Sequence, residues 1–468
     1  MFVGREEELN TLEKAYAAES FQMVVVYGRR RVGKTTMLAR FAEGKPTLFF
    51  TAQQQADADN LSDFSREIAR FFELPESLRF ESWTGAFEFL ADRARSGRFL
   101  LVFDEFPYAA AANKSLVSKL QVAIDHAFLK TQLCLVLCGS DQGFMESEVL
   151  GKKSSLHGRR TAQIRVRPFD YLTASRMIPE VGFEDAFRYY ACVGGVPYYL
   201  SQIDQRLGFR ENIEHLFFST DGLLYEEPHM LLRQELREPA VYNSILRALG
   251  AGANRRSNIA DRVGLAATAT SAYLSTLERL DVIERIVPFG ENPETSRKGI
   301  YRFADACYDF WYTFVMPNVG DIEEGAGRLV AESLTDEVLS AYFGRRFERV
   351  CRQWFLREAL AGHLPISASS FGSWWGADPA TKTQEDIDVL AADRQAKVLL
   401  AGECKWRNEF DETEALKKLR HRASLVKGYR ASGLYLFTKH PVAEGTRRKM
   451  EAEADEYAIS LDDLYRER

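Results

Sequence analysis

The sequence predicts an α/β fold whose N-terminal part is built on a parallel sheet. Three apolar runs, at 24–27, 99–103 and 133–138, have the length and composition of strands that are covered on both faces. Segments with helical spacing of apolar residues lie between them, at 61–72 and 83–95. Strands that alternate with helices favour parallel pairing, because a crossover helix is the usual connection between parallel strands.

A glycine-rich segment directly follows the first run. It reads Gly28-(x)4-Gly33-Lys34-Thr35 and matches the phosphate-binding P-loop in full. In such a loop, backbone N–H groups and the positive end of the following helix face phosphate oxygens. The lysine neutralises the β- and γ-phosphates, and the hydroxyl binds Mg²⁺. We therefore predict bound ATP and Mg²⁺, with ATP or ADP contacted by Gly28, Arg29, Arg30, Arg31, Val32, Gly33, Lys34, Thr35 and Thr36.

An acidic pair, Asp104-Glu105, ends the second apolar run about 70 residues after the P-loop. A hydrophobic strand that closes on Asp-Glu is the Walker B pattern. On its own this pattern is weak, because many strands end in acidic residues. Together with the P-loop it predicts that Asp104 holds Mg²⁺ through water and that Glu105 polarises the attacking water.

Polar residues after the third run are candidates for sensing the γ-phosphate. In P-loop ATPases with an additional strand a polar residue at this strand tip has that role, and here it is Ser140. The alternative is that Gly139-Ser140 only turns the chain. Arg159 or Arg160 follows on a loop and is a candidate arginine finger. Nothing in the sequence chooses between the two arginines or between action in the same subunit and in a neighbour.

In their order along the chain, these motifs resemble the archaeal-type ATPases of the AAA/STAND P-loop class. The resemblance also rests on Val3-Gly4-Arg5-Glu6 at the start and on Gly194-Gly195-Val196-Pro197-Tyr198-Tyr199. It implies a P-loop NTPase core over 1–168, in which the first segment packs beside the nucleotide base. It also implies a helical lid over 169–238, which contains the Gly-Gly-x-Pro-x-Tyr segment.

The region 239–318 predicts a winged-helix module, which the resembling family also carries. Three helical segments precede two short strands, at 282–287 and 299–303. The third helix, 268–280, has one arginine and one glutamate, so it offers little charge for DNA phosphates. DNA contact from its flanks and a structural or protein-contacting role both remain open. The flanking basic residues are Arg255, Arg256, Arg297 and Lys298.

The C-terminal range 328–468 contains Asp388, Glu403 and Lys405 on two predicted adjacent strands. Two carboxylates can bind Mg²⁺, and a neighbouring lysine can orient or deprotonate a water for phosphodiester attack. With Glu348 on the preceding helix, the order resembles the PD-(D/E)XK nuclease superfamily, although the proline of the nominal motif is missing. The resemblance implies a C-terminal α/β restriction-endonuclease-like domain with Asp388, Glu403 and Glu348 as metal ligands. The plain alternative is a Glu-Lys salt bridge on a half-exposed strand.

Composition restricts partners and location. The net charge is −6, so contact with nucleic acid would depend on a local patch. No apolar run reaches the roughly 18 residues that a membrane span needs, and the first residues are acidic where a secretory signal is basic. The six cysteines are scattered and form no CxxC pair. These features predict reduced cysteines, no membrane partner and a cytoplasmic location.

Three functions are compatible with these motifs. The first is an ATPase whose nucleotide state controls a C-terminal nuclease acting on DNA. The second is a STAND-like regulatory switch that contacts protein or DNA through an inactive nuclease fold. The third is an ATP-driven remodelling machine that forms a homo-oligomeric ring. All three share ATP binding and Mg²⁺-dependent hydrolysis.

Overall fold

The computed structural model describes residues 2–453 and 455–466. The predicted domain ranges 1–168 and 328–468 also include Met1, Ala454, Glu467 and Arg468, which lie outside the described residues. The chain forms two compact units. The first extends to Pro168 and includes Val196–Tyr198, and the second comprises Phe169–Gly195 and the chain from Tyr199 onwards.

The first unit is a five-stranded parallel sheet with helices on both faces. Its strands are β1 Gln22–Tyr27, β2 Thr47–Thr51, β3 Leu100–Asp104, β4 Cys134–Gly139 and β5 Ala162–Arg165. Its helices are α1 Glu6–Ala17, α2 Lys34–Ala42, α3 Asp57–Phe71, α4 Trp83–Ser96, α5 Phe106–Ala112, α6 Leu116–His126 and α7 Gln142–Phe144, with a π-helical turn at Met145–Val149.

The strand order in this sheet is β2-β3-β4-β1-β5, and every neighbouring pair is parallel. Strand β4 therefore lies between β1, which leads into the P-loop, and β3, which ends in Asp104. Side chains of β1 alternate between two buried clusters, because successive strand residues point to opposite faces. Val25 packs on one face with the aromatic rings of Phe64 and Phe103, and Val26 packs on the other with Met37. The predicted α/β fold with a parallel core is confirmed.

The second unit begins with helices and a hairpin. Its helices up to the hairpin are α8 Tyr171–Ser175, α9 Phe183–Val193, α10 Pro197–Leu200 (which starts in the first unit), α11 Phe209–Phe217, α12 Leu223–Glu235, α13 Pro239–Gly250, α14 Arg256–Val263 and α15 Ala267–Arg279. The hairpin pairs β6 Ile283–Ile286 with β7 Ile300–Phe303 in antiparallel register. Three helices followed by a two-stranded hairpin are therefore present in the range 239–303. Their assignment as a winged helix stays a prediction.

The segment that follows is helical throughout most of its length. It contains α16 Ala306–Phe310, π-helical turns at Trp311–Val315 and Ile322–Ala326, a 3₁₀ turn at Met316–Asn318, α17 Val319–Asp321 and α18 Gly327–Ser333. The glycine-rich stretch 320–327 lies inside this segment, and Gly325 interrupts it with φ of 90°. The boundaries predicted between lid, winged helix and C-terminal domain stay predictions, since all three ranges fall largely within one compact unit.

The C-terminal part carries the second large sheet. Its elements are α19 Asp336–Leu360, β8 Ser370–Ala377, β9 Gln384–Asp393, β10 Val398–Lys405, α20 Glu412–Ser424, β11 Arg430–Thr438, α21 Glu444–Ala452, β12 Glu456–Ser460 and α22 Leu461–Tyr465. The sheet order is β12-β11-β10-β9-β8. This sheet is mixed, because β8, β9 and β10 pair antiparallel while β10, β11 and β12 pair parallel.

Two helices cover the opposite faces of this mixed sheet. Trp354 and Phe355 of α19 pack against Tyr435 and Phe437 of β11 in tilted and edge-to-face arrangements. On the other face, Leu419 of α20 joins a buried cluster with apolar residues of β9, β10 and β11. One face of β9 and β10 therefore looks toward α19, and residues on that face can meet its side chains. In the described part of the chain, no helix is long and apolar enough to cross a membrane.

Candidate functional site

The P-loop is shaped by two glycines with unusual backbone angles. Gly28 has φ of 151°, and a Cβ built on it would lie 2.2 Å from the carbonyl oxygen of Val166. Gly33 has φ of 86° and immediately precedes α2, whose first residue is Lys34. A side chain at either position would strain the backbone, and at Gly28 it would also collide with β5's continuation. The loop therefore requires both glycines of the motif.

The P-loop lysine and threonine are held by partners within the first unit. Lys34 Nζ donates to the carbonyl oxygens of Gly28 at 2.9 Å and Arg29 at 3.0 Å. The hydroxyl of Thr35 donates to Asp104 Oδ2 at 2.9 Å, although β1 and β3 are separated by β4. The structure therefore brings together the lysine, the hydroxyl and the carboxylate that the sequence assigns to phosphate and Mg²⁺.

Glu105 and Ser140 lie side by side at the carboxyl edge of the sheet. The Ser140 hydroxyl lies 2.8 and 2.7 Å from the two carboxylate oxygens of Glu105, and the Ser140 N–H donates to Oε2 at 3.2 Å. Glu105 adopts a left-handed conformation with φ of 49°, which costs roughly 1–3 kcal/mol for a residue with a side chain. The strained backbone of Glu105 and its contact with Ser140 therefore lie where β3 and β4 end.

The two candidate arginines have different partners. Arg159 binds Asp125 of α6 in bidentate fashion, with Nε and Nη2 at 2.7 and 2.6 Å from its oxygens. Hydrogen bonds from Arg159 lower the pKa of the Asp125 carboxyl to about 2. Arg160 donates from Nη1 to the Leu150 carbonyl at 3.3 Å. To act at a phosphate, Arg159 would first have to leave Asp125, and Arg160 would have to leave the Leu150 carbonyl.

Three contacts around the P-loop were not specified by the motifs. Arg5 donates to the carbonyl of Val32 at 2.9 Å, so the first segment packs directly on the loop. Arg30 donates to the hydroxyl of Tyr108 at 2.8 Å. The Arg31 guanidinium lies 4.7 Å above the ring of Tyr198, which places the Pro197-Tyr198 part of the glycine-rich segment beside the loop. The Gly-Gly-x-Pro-x-Tyr signal was visible in the sequence, but its contact with Arg31 was not.

The predicted C-terminal residues also converge. Asp388 of β9 accepts the Cys404 N–H at 2.7 Å, and Glu403 binds Lys405 at 2.5 Å on the same strand. Burial raises the pKa of Asp388 well above its usual range, and the nearby Glu348 and Glu403 raise it further. Burial likewise raises the pKa of Glu348 to about 7. Glu348, Asp388 and Glu403 are therefore within electrostatic range of one another.

Glu403 has a further partner that sequence reasoning missed. Arg422 of α20 donates to Glu403 Oε2 at 3.1 Å and to Glu385 Oε2 at 2.8 Å. Two cations therefore hold the one buried carboxylate. Among the residues that the structure describes, no three His, Cys, Asp or Glu side chains are already arranged as a metal-binding group. The predicted ligands are close in space, but Glu403 is oriented by Lys405 and Arg422.

These features are those of a P-loop nucleotide-binding site. Residues 2–203 match a family model described as an ATPase domain predominantly from Archaea. Residues 311–418, which include Glu348, Asp388, Glu403 and Lys405, match a model described as archaeal and bacterial proteins of unknown function. This match supports an ATP-binding ATPase domain in the N-terminal part of the chain.

The chain also resembles individual proteins and solved structures. The chain is 28% identical over 466 residues to the uncharacterized protein MJECL04 of Methanocaldococcus jannaschii, covering 99% of this chain and 100% of the relative. A 45-residue stretch, 10% of this chain and 76% of the relative, is 47% identical to the uncharacterized ATP-binding protein MJ0423 of the same organism. Among solved structures, the Walker-type ATPase PABY2304 of Pyrococcus abyssi aligns with a TM-score of 0.50 and 22% identity, over 66% of this chain and 96% of that one. At that identity the structural likeness supports the fold.

The glycine geometry predicts the effect of a one-carbon substitution. Gly28→Ala places a Cβ against the Val166 carbonyl at a left-handed position, so we expect nucleotide affinity to fall at least tenfold. Gly97→Ala is the matched control, since nothing lies within 4 Å of a Cβ there. Titration with a fluorescent ATP analogue measures both. Equal affinity in the two variants would contradict the account of the loop.

Proposed function

We propose that this protein is a Mg²⁺-dependent ATPase whose nucleotide state controls a nuclease-like C-terminal domain that binds or cleaves DNA. The observation that carries the proposal is the convergence of Glu348, Asp388, Glu403 and Lys405 in a chain that also holds a complete ATP site. Because Asp388 and Glu403 lie on adjacent strands and Glu348 on the helix over them, the arrangement follows the order implied by the PD-(D/E)XK resemblance.

In the ATP site, each residue has a defined contribution. Thr35 and Asp104 would hold Mg²⁺, and their hydroxyl and carboxylate oxygens suit that ion. When bound, Mg²⁺ supplies charge neutralisation at the β- and γ-phosphates. Lys34 exchanges the carbonyls of Gly28 and Arg29 for phosphate oxygens. Once the Glu105 carboxylate has broken its hydrogen bonds to Ser140, it orients the attacking water.

In the C-terminal site, the carboxylates would bind the metal ion and Lys405 would orient a water. Asp388 and Glu403 would hold Mg²⁺ with Glu348, because oxygen ligands at crowded carboxylates suit a divalent cation. When bound, the ion supplies stabilisation of charge on a phosphodiester oxygen. Lys405 orients a water at the strand end, and Arg422 keeps Glu403 in position from α20.

The three helices and hairpin at 239–303 fit a winged helix with a structural or contacting role. The third helix, α15, ends in Glu278 and Arg279 and has no basic face. Arg285 of the hairpin donates to backbone carbonyls of the connecting loop, including that of Ser296 at 2.7 Å, which holds the wing together. We therefore expect α15 to bind DNA phosphates more weakly than the basic residues of the hairpin do.

A STAND-like switch is the alternative function, and one observation favours it. Glu105 is engaged by both the hydroxyl and the N–H of Ser140, so hydrolysis requires these hydrogen bonds to break first. That requirement slows turnover and lengthens the ATP-bound state, which is what a switch needs. In this alternative the C-terminal carboxylates stay structural, with Lys405 and Arg422 as their ion-pair partners.

Substitution of the P-loop lysine and the Walker B glutamate tests the ATPase part. Lys34→Ala removes the phosphate contact and is expected to abolish ATP turnover, while Glu105→Gln binds ATP but hydrolyses it at least 100-fold more slowly, which corresponds to about 2.7 kcal/mol of barrier. Lys130→Ala, an exposed lysine of the same unit, is the control. A phosphate-release assay with Mg²⁺ gives the rates. Wild-type turnover in either variant would overturn the role of that residue.

Cleavage of DNA tests the C-terminal part. Pure protein is incubated with Mg²⁺ or Mn²⁺ and with plasmid or single-stranded DNA, in the presence and absence of ATP. We expect metal-dependent cleavage that responds to ATP and is lost in Lys405→Ala, because the water then lacks its orienting cation. Lys417→Ala, an exposed lysine on α20, should cleave like the wild type. Cleavage that is absent, or equal in the two variants, favours the switch.

A further inference from the structure

A cavity of about 760 Å³ lies within the second unit, between the β6–β7 hairpin, α19 and strands β8 and β9. Its lining includes Tyr301 of the hairpin, Arg349 of α19 and Trp375 of β8. The volume is that of a site for one compact ligand. The hairpin thus forms a wall of the space in front of the C-terminal carboxylates, which the motifs alone do not indicate.

Several arginines lie on one side of this cavity, and two of them share a single carboxylate. Arg302 of the hairpin and Arg349 of α19 both bind the same oxygen of Glu284, at 2.8 and 3.1 Å. Arg352 also lies within electrostatic range of that carboxylate. Arg345 is exposed and forms no ion pair with a carboxylate among the described residues. Guanidinium groups that share partners in this way suit the several oxygens of a phosphate.

The opposite wall combines carboxylates with an aromatic ring. Asp386 and Asp388 are two apart on β9 and share a sheet face, and Glu348 lies within electrostatic range of both. Trp375 is the cross-strand partner of Asp386, so its ring is on the same face. It is half-buried, and no ring of the described residues stacks on it. An indole in this position offers a surface for a nucleobase.

We propose that this cavity binds the end of a single-stranded nucleic acid. A terminal phosphate lies against Arg345 and Arg349, a phosphodiester lies beside Asp388, and one base stacks on Trp375. A single strand is required because bases in a duplex are paired and stacked and cannot reach the indole. This inference rests on the proposed function of the C-terminal carboxylates, and it adds the hairpin and α19 arginines as the part that selects the substrate.

Oligonucleotide binding tests the proposal without relying on cleavage. Fluorescence anisotropy of full-length protein with Ca²⁺ in place of Mg²⁺ compares three labelled probes: a 5′-phosphorylated DNA tetranucleotide, its RNA counterpart and a blunt DNA hairpin. Wild type should prefer the single strands at least tenfold. Arg345→Ala should weaken binding at least fivefold and reduce the salt dependence by about one phosphate contact, a slope change of about 0.7. Trp375→Ala should weaken binding about fivefold or more, and Trp375→Phe should restore it.

Matched controls separate this proposal from the one it rests on. Arg328→Ala removes an exposed arginine of α18 that pairs with Glu332, and it should bind like the wild type. All variants should retain the ATP turnover and the thermal unfolding profile of the wild type, which shows that both units fold. Variants Arg345→Ala and Trp375→Ala that bind as tightly as Arg328→Ala, or a duplex bound as tightly as the single strands, would overturn the proposal. Arg345→Ala and Trp375→Ala could weaken oligonucleotide binding as expected while Lys405→Ala leaves DNA cleavage unchanged. In that case the cavity proposal stands and the nuclease proposal fails. The probe that binds with the higher affinity, DNA or RNA, shows which type of single strand the cavity prefers.

Discussion

Asp104 is the residue on which the geometry of the nucleotide-binding unit depends. Its carboxylate is 1% exposed, and it accepts the Thr35 hydroxyl at 2.9 Å and the Glu105 N–H at 3.0 Å. A buried carboxylate without such donors would cost several kcal/mol (about 2–7). Because Asp104 ties the first turn of α2 to the end of β3 across the intervening β4, it fixes the distance between the phosphate-binding lysine and Glu105. Ser140, which follows β4, then contacts Glu105.

Both candidate sites hold their charged groups with internal partners that a ligand would replace. In the first unit the P-loop carbonyls bind Lys34, and Ser140 binds Glu105. In the second unit Glu403 is shared by Lys405 and Arg422. Because each ligand contact replaces an internal hydrogen bond or ion pair, it adds less to the binding free energy. The internal partners keep the buried charges paired when no ligand is bound. The ATPase and switch alternatives differ in how readily the Ser140–Glu105 contact is exchanged.

The sequence predicted the parallel core and the position of the P-loop because strong local signals specify both. It also placed Asp104, Glu105 and Ser140 at strand ends, and because parallel strands end together the structure brings them to one sheet edge. Their hydrogen bonds were not predictable, because a side-chain rotamer depends on tertiary neighbours. The sequence left the choice between Arg159 and Arg160 open for the same reason: the partner of Arg159 is Asp125, on a helix 34 residues earlier. The cavity beside Trp375 arises from packing of the hairpin against α19, for which no periodicity gives a signal.

We expect Lys34 to exchange its hydrogen bonds to backbone carbonyls for contacts with phosphate oxygens when ATP binds. A crystal structure of the full chain with Mg²⁺ and a non-hydrolysable ATP analogue tests this most directly. Lys34 Nζ should leave the carbonyl oxygens of Gly28 and Arg29, which now lie at 2.9 and 3.0 Å, and should contact the β- and γ-phosphates. The Thr35 hydroxyl and Asp104 should lie at the metal. An analogue bound elsewhere, or bound in the loop while Lys34 keeps both carbonyls, would contradict it.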